Sequence, residues 1–159
     1  MGNCPQCDNK IKDELYCPKC KAPIEENISK KISGYLFYMA NNFYLTRAYK
    51  DAEVYAEKLV KNAPNNSQAW LLKGNIQAYS SPGDDLSYGK SIKAWTNAIS
   101  FAKDGGEISK IKETISSEMF NGFAYSSYIK AVEFSRNPNR INAISLENCK
   151  KYLSLCGLE

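Results

Sequence analysis

Four cysteines near the amino terminus have the residue type and spacing for metal chemistry. Residues 3–24 read NCPQCDNKIKDELYCPKCKAPI, so one Cys-Pro-x-Cys pair is followed nine residues later by a second: Cys4 and Cys7, then Cys17 and Cys20. Two such pairs can supply the four sulfur ligands of a tetrahedral Zn²⁺ site. Disulfides, iron bound by four sulfurs and redox chemistry remain alternatives. Four protein ligands leave no open coordination position, so we expect one structural Zn²⁺ and no catalysis there.

The residues around the cysteines must position the sulfurs. Each Cys-Pro-x-Cys predicts a tight turn in which proline fixes the backbone, and we expect a hairpin, Lys10 to Tyr16 with a turn near Asp13-Glu14, to hold the two turns together. This segment resembles the short zinc ribbons at the amino termini of many bacterial proteins. A segment of about 25 residues buries too little surface to fold alone, so metal binding is expected to fold residues 1–25.

The segment departs from the commonest zinc ribbon in one respect. It lacks the glycine that usually follows the second cysteine of each pair. Asp8-Asn9 can tolerate the left-handed conformation that this glycine provides, whereas Lys21-Ala22 is less suited to it.

The composition limits the other classes of function. The 159-residue chain is 43% apolar, which is enough for a packed domain, and its net charge of +4 comes from 21 basic and 17 acidic residues scattered along the sequence. Six lysines among residues 1–31 face five acids, which offers little affinity for phosphate. The chain has no apolar run of roughly 20 residues and no signal peptide, so we expect a cytoplasmic protein without membrane contact. Residues 158–159 resemble a cloning scar, so the chain can be a fragment of a longer protein.

The rest of the sequence has helical periodicity. Apolar residues at spacings of three and four predict helices over residues 28–44, 47–62, 87–103, 107–136 and 138–155. Another helix is expected to start at Ser67 and to end before a turn at residues 80–85. Thr46 and Ser67 are the expected amino-terminal caps of the second and third helices. Cys149 and Cys156 lack the paired spacing and are expected to be small core residues.

The first four helices resemble two tetratricopeptide repeats. When Ser33 is counted as position 1, the characteristic positions of that 34-residue repeat carry residues of the expected types, namely Leu36, Ala40, Ala52, Ala56, Leu59 and Pro64. A second unit starts at Ser67 and places Gly74 where a small residue lets two helices approach closely. The resemblance implies an all-α, right-handed array of about six helices over residues 28–157. Repeats lie near 33–66 and 67–103, the second with a five-residue insertion, and an irregular helical cap covers 107–155.

The repeat family implies a binding surface, because the first helix of each repeat lines a concave groove. Transferred to this chain, the groove residues are Phe37, Asn41, Tyr44, Gln68, Leu71, Asn75 and Tyr79. Asn41 and Asn75 lie 34 residues apart and could both hydrogen-bond the backbone of an extended peptide. The alternative for Tyr44 and Tyr79 is burial under neighbouring helices.

The sequence offers little for catalysis. It contains no histidine for a Ser-His or Cys-His pair, and the adjacent carboxylates Asp84-Asp85 are better explained as a solvated turn. We therefore expect a non-enzymatic adaptor whose groove holds a peptide or helix of another protein. The alternative is a nucleic-acid-associated regulator that uses the lysines of the zinc ribbon.

Overall fold

A small cysteine-rich module precedes a set of packed helices in the computed structural model, which describes residues 2–80 and 85–118. In the module, strand β1 (Gly2–Asn3) pairs antiparallel with β2 (Lys10–Ile11), with Gly2 opposite Ile11. Tyr16 and Pro23 form an isolated antiparallel bridge. The predicted hairpin between Lys10 and Tyr16 is therefore wrong, since each Cys-Pro-x-Cys turn is closed by its own flanking residues. Pairing the residues on either side of one Cys-Pro-x-Cys turn closes a short loop, which costs less chain entropy than pairing strands from two different turns.

Five helices follow in the described part of the chain. They are α1 (Glu25–Leu45), α2 (Tyr49–Asn62), α3 (Ser67–Ser80), α4 (Asp85–Ser100) and α5, described over residues 105–118. Consecutive helices pack on each other from α1 to α4. The predicted helical fold is confirmed, with boundaries shifted by at most three residues in the first four helices. The predicted elements at 119–136 and 138–155, Asp84, Cys149, Cys156 and residues 158–159 lie outside the described residues.

Thr46 ends α1 instead of starting α2. Its Oγ1 donates to the carbonyl oxygens of Asn42 and Phe43, at 3.0 and 3.2 Å, so it satisfies acceptors that the helix end leaves open. Arg47 follows with a φ of 63°, which turns the chain sharply toward α2. The predicted role of Thr46 as an amino-terminal cap is therefore wrong.

The cap of α3 is one residue earlier than predicted. Asn66 Oδ1 accepts hydrogen bonds from the N–H groups of Gln68 and Ala69, at 3.0 and 3.1 Å. The Ser67 hydroxyl is used instead in a contact with α5, because it donates to Glu107 Oε1 at 2.5 Å.

Two hydrophobic clusters meet at α3. The first joins α1, α2 and α3 through Leu36, Ala40, Ala52, Ala56, Leu59, Val60, Ala69, Leu72 and Ile76. The second joins α3, α4 and α5 through Leu71, Ala78, Trp95, Ala98, Ile111 and Ile115. Since both clusters share α3, that helix is buried on nearly every side. Gly74 of α3 faces Trp95 of α4, which confirms the predicted close approach at this small residue.

Within residues 2–80 and 85–118, no helix is both long enough and apolar enough to cross a bilayer.

Candidate metal centre and partner-binding surface

The four cysteine sulfurs form a compact group. Cys4 Sγ lies 3.6 Å from Cys20 Sγ, Cys7 Sγ lies 3.5 Å from Cys17 Sγ, and all four atoms are within 4.8 Å of one another. A tetrahedron with metal–sulfur bonds of about 2.3 Å has edges of about 3.8 Å, whereas a disulfide bond is about 2.05 Å long. The spacing therefore fits one metal ion held by four sulfurs, and the four cysteines are not paired as disulfides.

Two equivalent turns bring these sulfurs together. In each, the first cysteine (Cys4 or Cys17) donates its N–H to the carbonyl five residues later at 2.8 Å and accepts from the N–H four residues later at 2.9 Å. The residue after the second cysteine is left-handed in both turns, with φ of 55° at Asp8 and 62° at Lys21. Lysine gains nothing from this conformation, which costs about 1 kcal/mol. Its presence indicates that the turn is imposed by its surroundings.

The surroundings shift the pKa values of Cys7 and Cys17 in opposite directions. Backbone N–H groups of Cys20 and Lys19 favour the Cys17 thiolate and lower the pKa of Cys17 to about 6. The Asn9 amide favours the Cys7 thiolate, but burial and hydrogen bonds with the neighbouring thiols outweigh it and raise the pKa of Cys7 to about 12. Four thiolates this close repel one another, so a cation is needed before all of them ionise. Zn²⁺ supplies that charge and deprotonates coordinating thiols outright, and iron suits the same ligands.

The module is attached to the start of α1. Ile24 packs with Cys4, Cys17 and Ile11 in a small cluster, and its N–H donates to the Leu15 carbonyl at 2.8 Å. From the first turn of α1, Asn27 Nδ2 donates to the carbonyl oxygens of Lys12 and Glu14, at 3.2 and 2.9 Å. A metal that orders the module therefore also fixes the entry into the first helix.

Two predicted groove residues on α3 are buried. Leu71 belongs to the cluster shared with α4 and α5. Asn75 Oδ1 accepts a hydrogen bond from Trp95 Nε1 at 2.9 Å inside the protein. The prediction that Asn75 offers its amide to a peptide beside Asn41 is therefore wrong, because an indole from the next helix already uses the amide oxygen.

Helix α5 interacts with three more predicted groove residues. The hydroxyls of Tyr44 and Tyr79 both donate to Glu118 Oε2, at 2.7 and 3.0 Å, and their ring centroids are 6.0 Å apart. Burial, followed by the Glu118 carboxylate, raises the pKa of Tyr44 above its usual range. Gln68 Nε2 lies 3.4 Å from Glu107 Oε1. Both tyrosines are half-buried between helices, which agrees with the alternative expectation for them.

The α1 part of the predicted groove is more open. Phe37 is 38% exposed and lines a surface cavity of about 550 Å³, while Asn41 is half-buried. Gly34, Leu59 and Ala63 line the cavity with Phe37, and the remaining lining residues are polar or charged: Glu26, Ser29, Lys30, Ser33, Asn62 and Asn66.

Asn62 organises the polar side of this cavity. Its Nδ2 donates to Ser33 Oγ at 2.7 Å and to the Ser29 carbonyl at 3.1 Å, which joins the end of α2 to the start of α1. The repeat register did not indicate Asn62, since it lies on the second helix of its repeat. A helix-terminal asparagine followed by Ala63 and Pro64 was the available hint of a side chain facing the preceding helix.

Comparison of the chain with protein-family models, with curated proteins and with solved structures finds no match. The resemblances to zinc ribbons and tetratricopeptide repeats therefore rest on the motifs and the geometry described above.

Proposed function

We propose that this chain is a protein-interaction module. In it, one structural Zn²⁺ folds residues 2–24 as a zinc ribbon, and the helices form a tetratricopeptide-like array that binds a peptide segment of a partner protein. The observation that carries the binding function is the cavity of about 550 Å³ that lies between α1 and the end of α2 and shares Phe37 with the predicted groove.

The role of the zinc is structural. Four sulfurs complete a tetrahedral shell, which leaves no position at which substrate or water could react. The ordered module then supports the first turn of α1 through Asn27 and Ile24, next to the cavity residues Glu26 and Lys30. Zinc binding would thus preorganise the amino-terminal end of the binding surface.

The chemistry of the cavity indicates what it would hold. Its volume lies within the roughly 300–1,000 Å³ of typical ligand sites, which is ample for one or two large apolar side chains. Phe37 offers apolar contact, and the hydroxyl and amide groups of Ser33 and Asn66 can hydrogen-bond a peptide backbone. Glu26 and Lys30 pair with each other at 2.9 Å beside the cavity, so neither charge sign dominates. A peptide with a large apolar residue flanked by uncharged residues fits these surroundings.

Binding is preferred to catalysis and to nucleic-acid recognition. The sequence has no histidine, and the proposed metal shell is closed. The exposed lysines of the module, Lys10, Lys12, Lys19 and Lys21, lie among the acidic residues Asp8, Asp13 and Glu14. This mixture of charges gives the nucleic-acid alternative less support.

The test is a peptide-display selection on the purified, metal-loaded chain. Peptides with a large apolar side chain should be enriched, and Phe37→Ala should weaken their binding at least 10-fold. Gly34→Leu should abolish it by filling the cavity, and this variant should fold because, among the described residues, no atom lies within 4 Å of a Cβ placed on Gly34. The matched control is Val54→Ala on the exposed surface of α2. The proposal fails if no peptide is enriched, or if enriched peptides bind both cavity variants as tightly as the unmodified chain.

A further inference from the structure

Cys20 is the most accessible of the four clustered cysteines. It is exposed, whereas Cys4 and Cys17 are 2% and 0% exposed and Cys7 is half-buried. Reactive cysteines are those that solvent can reach, and a closed shell of four sulfurs is broken when any one of them is modified. An oxidant in solution therefore meets this cluster first at Cys20.

The turn that carries Cys20 is positively charged. Lys19 and Lys21 flank this cysteine, and both are exposed. The matching positions of the first turn hold Gln6 and Asp8, so the first turn lacks this charge. Within the described part of the chain, neither Lys19 nor Lys21 forms an ion pair. Two unpaired cations beside an accessible sulfur attract an anionic oxidant.

A second sulfur lies close enough to complete an oxidation. Cys4 Sγ is 3.6 Å from Cys20 Sγ, and the two cysteines belong to different turns. A disulfide bond is about 2.05 Å long, so its formation requires the two sulfurs to approach by about 1.5 Å. Residues 18–21 are all exposed, which leaves the second turn room for a shift of this size. Cys4 is thus shielded from solvent but positioned to react with a modified Cys20.

We propose that Cys20 is the site at which an anionic low-molecular-weight disulfide oxidises the sulfur cluster and releases its zinc. Glutathione disulfide, with a net charge of about −2 at pH 7, is the probe for this class of oxidant. The proposal rests on the zinc site of the proposed function and does not depend on peptide binding at the cavity.

The oxidation takes two exchange steps. In the first, the Cys20 thiolate attacks one sulfur of glutathione disulfide, the S–S bond of the oxidant breaks, and one glutathione leaves as a thiolate. In the second, the Cys4 thiolate attacks the Cys20 sulfur of this mixed disulfide and displaces the second glutathione. The products are a Cys4–Cys20 disulfide and two glutathione thiolates, so the two electrons that the cysteines lose reduce the oxidant.

The new disulfide should release the metal. A disulfide sulfur carries no negative charge, and the thiolate is the form of cysteine that binds metals. Only Cys7 and Cys17, whose sulfurs are 3.5 Å apart, then remain as ligands. The Cys4–Cys20 bond joins the same two turns that the metal joins, so excess reduced glutathione should regenerate four thiolates in place to rebind zinc. Zinc occupancy of the module would then follow the redox state of the surrounding disulfide pool.

Zinc release from the intact, zinc-loaded chain tests the proposal. Glutathione disulfide at about 1 mM should release about one zinc per chain to a coloured indicator. Peptide mapping by mass spectrometry should then find Cys4 linked to Cys20. Retention of zinc, or a mapped product without Cys20, overturns this proposal alone. A purified chain that holds no zinc overturns it together with the zinc site of the proposed function.

Charge reversal beside Cys20 tests the entry point. Lys19→Glu with Lys21→Glu should slow release by glutathione disulfide at least 10-fold at low ionic strength. Release by uncharged hydroxyethyl disulfide should change less than about two-fold, because no charge is attracted. The matched control is Lys10→Glu with Lys12→Glu, which makes the same change in net charge between the two cysteine pairs and should slow release much less. Equal slowing by the two double variants, or equal slowing with the two oxidants, overturns the attraction of an anionic oxidant to Cys20.

The two cysteines outside the cluster provide a further control. Cys149→Ser with Cys156→Ser should leave the rate of zinc release and the Cys4–Cys20 link unchanged, since neither residue takes part in the exchange. Loss of zinc release in this variant would assign the oxidation to Cys149 or Cys156 and would overturn the role of Cys20.

Discussion

The indole of Trp95 occupies the space that a side chain on Gly74 would need. A Cβ placed on Gly74 would lie 2.3 Å from Trp95 Cδ1 and 2.4 Å from Nε1. The same nitrogen donates to Asn75 Oδ1 at 2.9 Å, so two adjacent positions of α3 fix one side chain of α4. This contact joins the helices of the second proposed repeat and explains why Asn75 is unavailable to a ligand.

Replacing Gly74 with alanine should therefore destabilise the fold. The added methyl group displaces a fully buried indole, and overpacking of this kind costs about 1–3 kcal/mol, which exceeds the gain of about 1 kcal/mol in helix propensity. We expect a lower denaturation midpoint in urea. Gly89→Ala on α4 is the control, since among the described residues no atom lies within 4 Å of its added Cβ, and it should stabilise by about 0.5–1 kcal/mol. Equal effects of the two substitutions would contradict the close packing.

The parts of the structure that the sequence revealed are those set by local spacing. Pairs of cysteines three apart and apolar residues at intervals of three and four predicted the sulfur cluster and four helices with nearly correct boundaries. Gly74, at the small-residue position of the proposed repeat, also predicted the approach of α4 to α3. These features depend on turn geometry and on helical periodicity, which neighbouring residues largely determine.

The errors arose where a polar side chain had more than one possible partner. Thr46 and Ser67 both resemble amino-terminal caps, but Thr46 bonds the preceding helix end and Ser67 bonds Glu107, which is 40 residues away. Tyr44 and Tyr79 meet Glu118 of α5, a partner that repeat positions do not specify. The position of a residue in the repeat predicts the helix face on which the residue lies. Packing against other helices then determines whether that face is accessible to a ligand.

Removing the metal ligands should unfold the cysteine-rich module alone. Metal analysis should find about one zinc per chain, and Cys4→Ser with Cys17→Ser should lose it, because only thiolates of both turns complete the site. Residues 2–24 should then become sensitive to protease while the helical circular dichroism changes little. Lys19→Ser, in the same turn as Cys17, is the control and should retain the metal. A chain that absorbs visible light would indicate iron, since d¹⁰ zinc is colourless.

Acid should weaken the contact between α3 and α5. The Lys103 N–H donates to Glu107 Oε2 at 2.8 Å, and this bond, with those from Ser67 and Gln68, lowers the pKa of Glu107. A depressed carboxyl pKa stabilises the fold fully above the unfolded value of about 4.3, and this contribution is lost as the pH falls through the folded pKa. Glu107→Gln should thus lower the free energy of unfolding at pH 7. The difference in this free energy between the variant and the unmodified chain should shrink below about pH 4.

Denaturation curves between pH 3 and 8 check the effect of Glu107. The control is Glu113→Gln, at an exposed position of the same helix. Both variants retain all four cysteines, so any loss of metal at low pH should affect them equally. A constant difference between the Glu107 variant and the unmodified chain at every pH would show that ionisation of Glu107 does not contribute.

High pH should destabilise the fold through ionisation of Tyr44. Burial and the nearby Glu118 carboxylate raise the pKa of Tyr44, so the folded chain favours the neutral phenol. The resulting stabilisation is complete below the unfolded pKa of about 10 and is lost as the pH rises toward the folded value. Tyr44→Phe removes a hydrogen bond to a carboxylate, which should cost about 1 kcal/mol at pH 8 because the site is only half-buried.

The difference between Tyr44→Phe and the unmodified chain should narrow above pH 10, since phenylalanine has no proton to lose. Urea denaturation at pH 8 and at pH 10.5 measures this change, and absorbance near 295 nm reports phenolate formation directly. Tyr16→Phe, which removes a hydroxyl at an exposed position in the metal module, should have little effect at either pH. If Tyr44→Phe and Tyr16→Phe respond to pH in the same way, the Tyr44 hydroxyl does not connect α1 to Glu118 of α5.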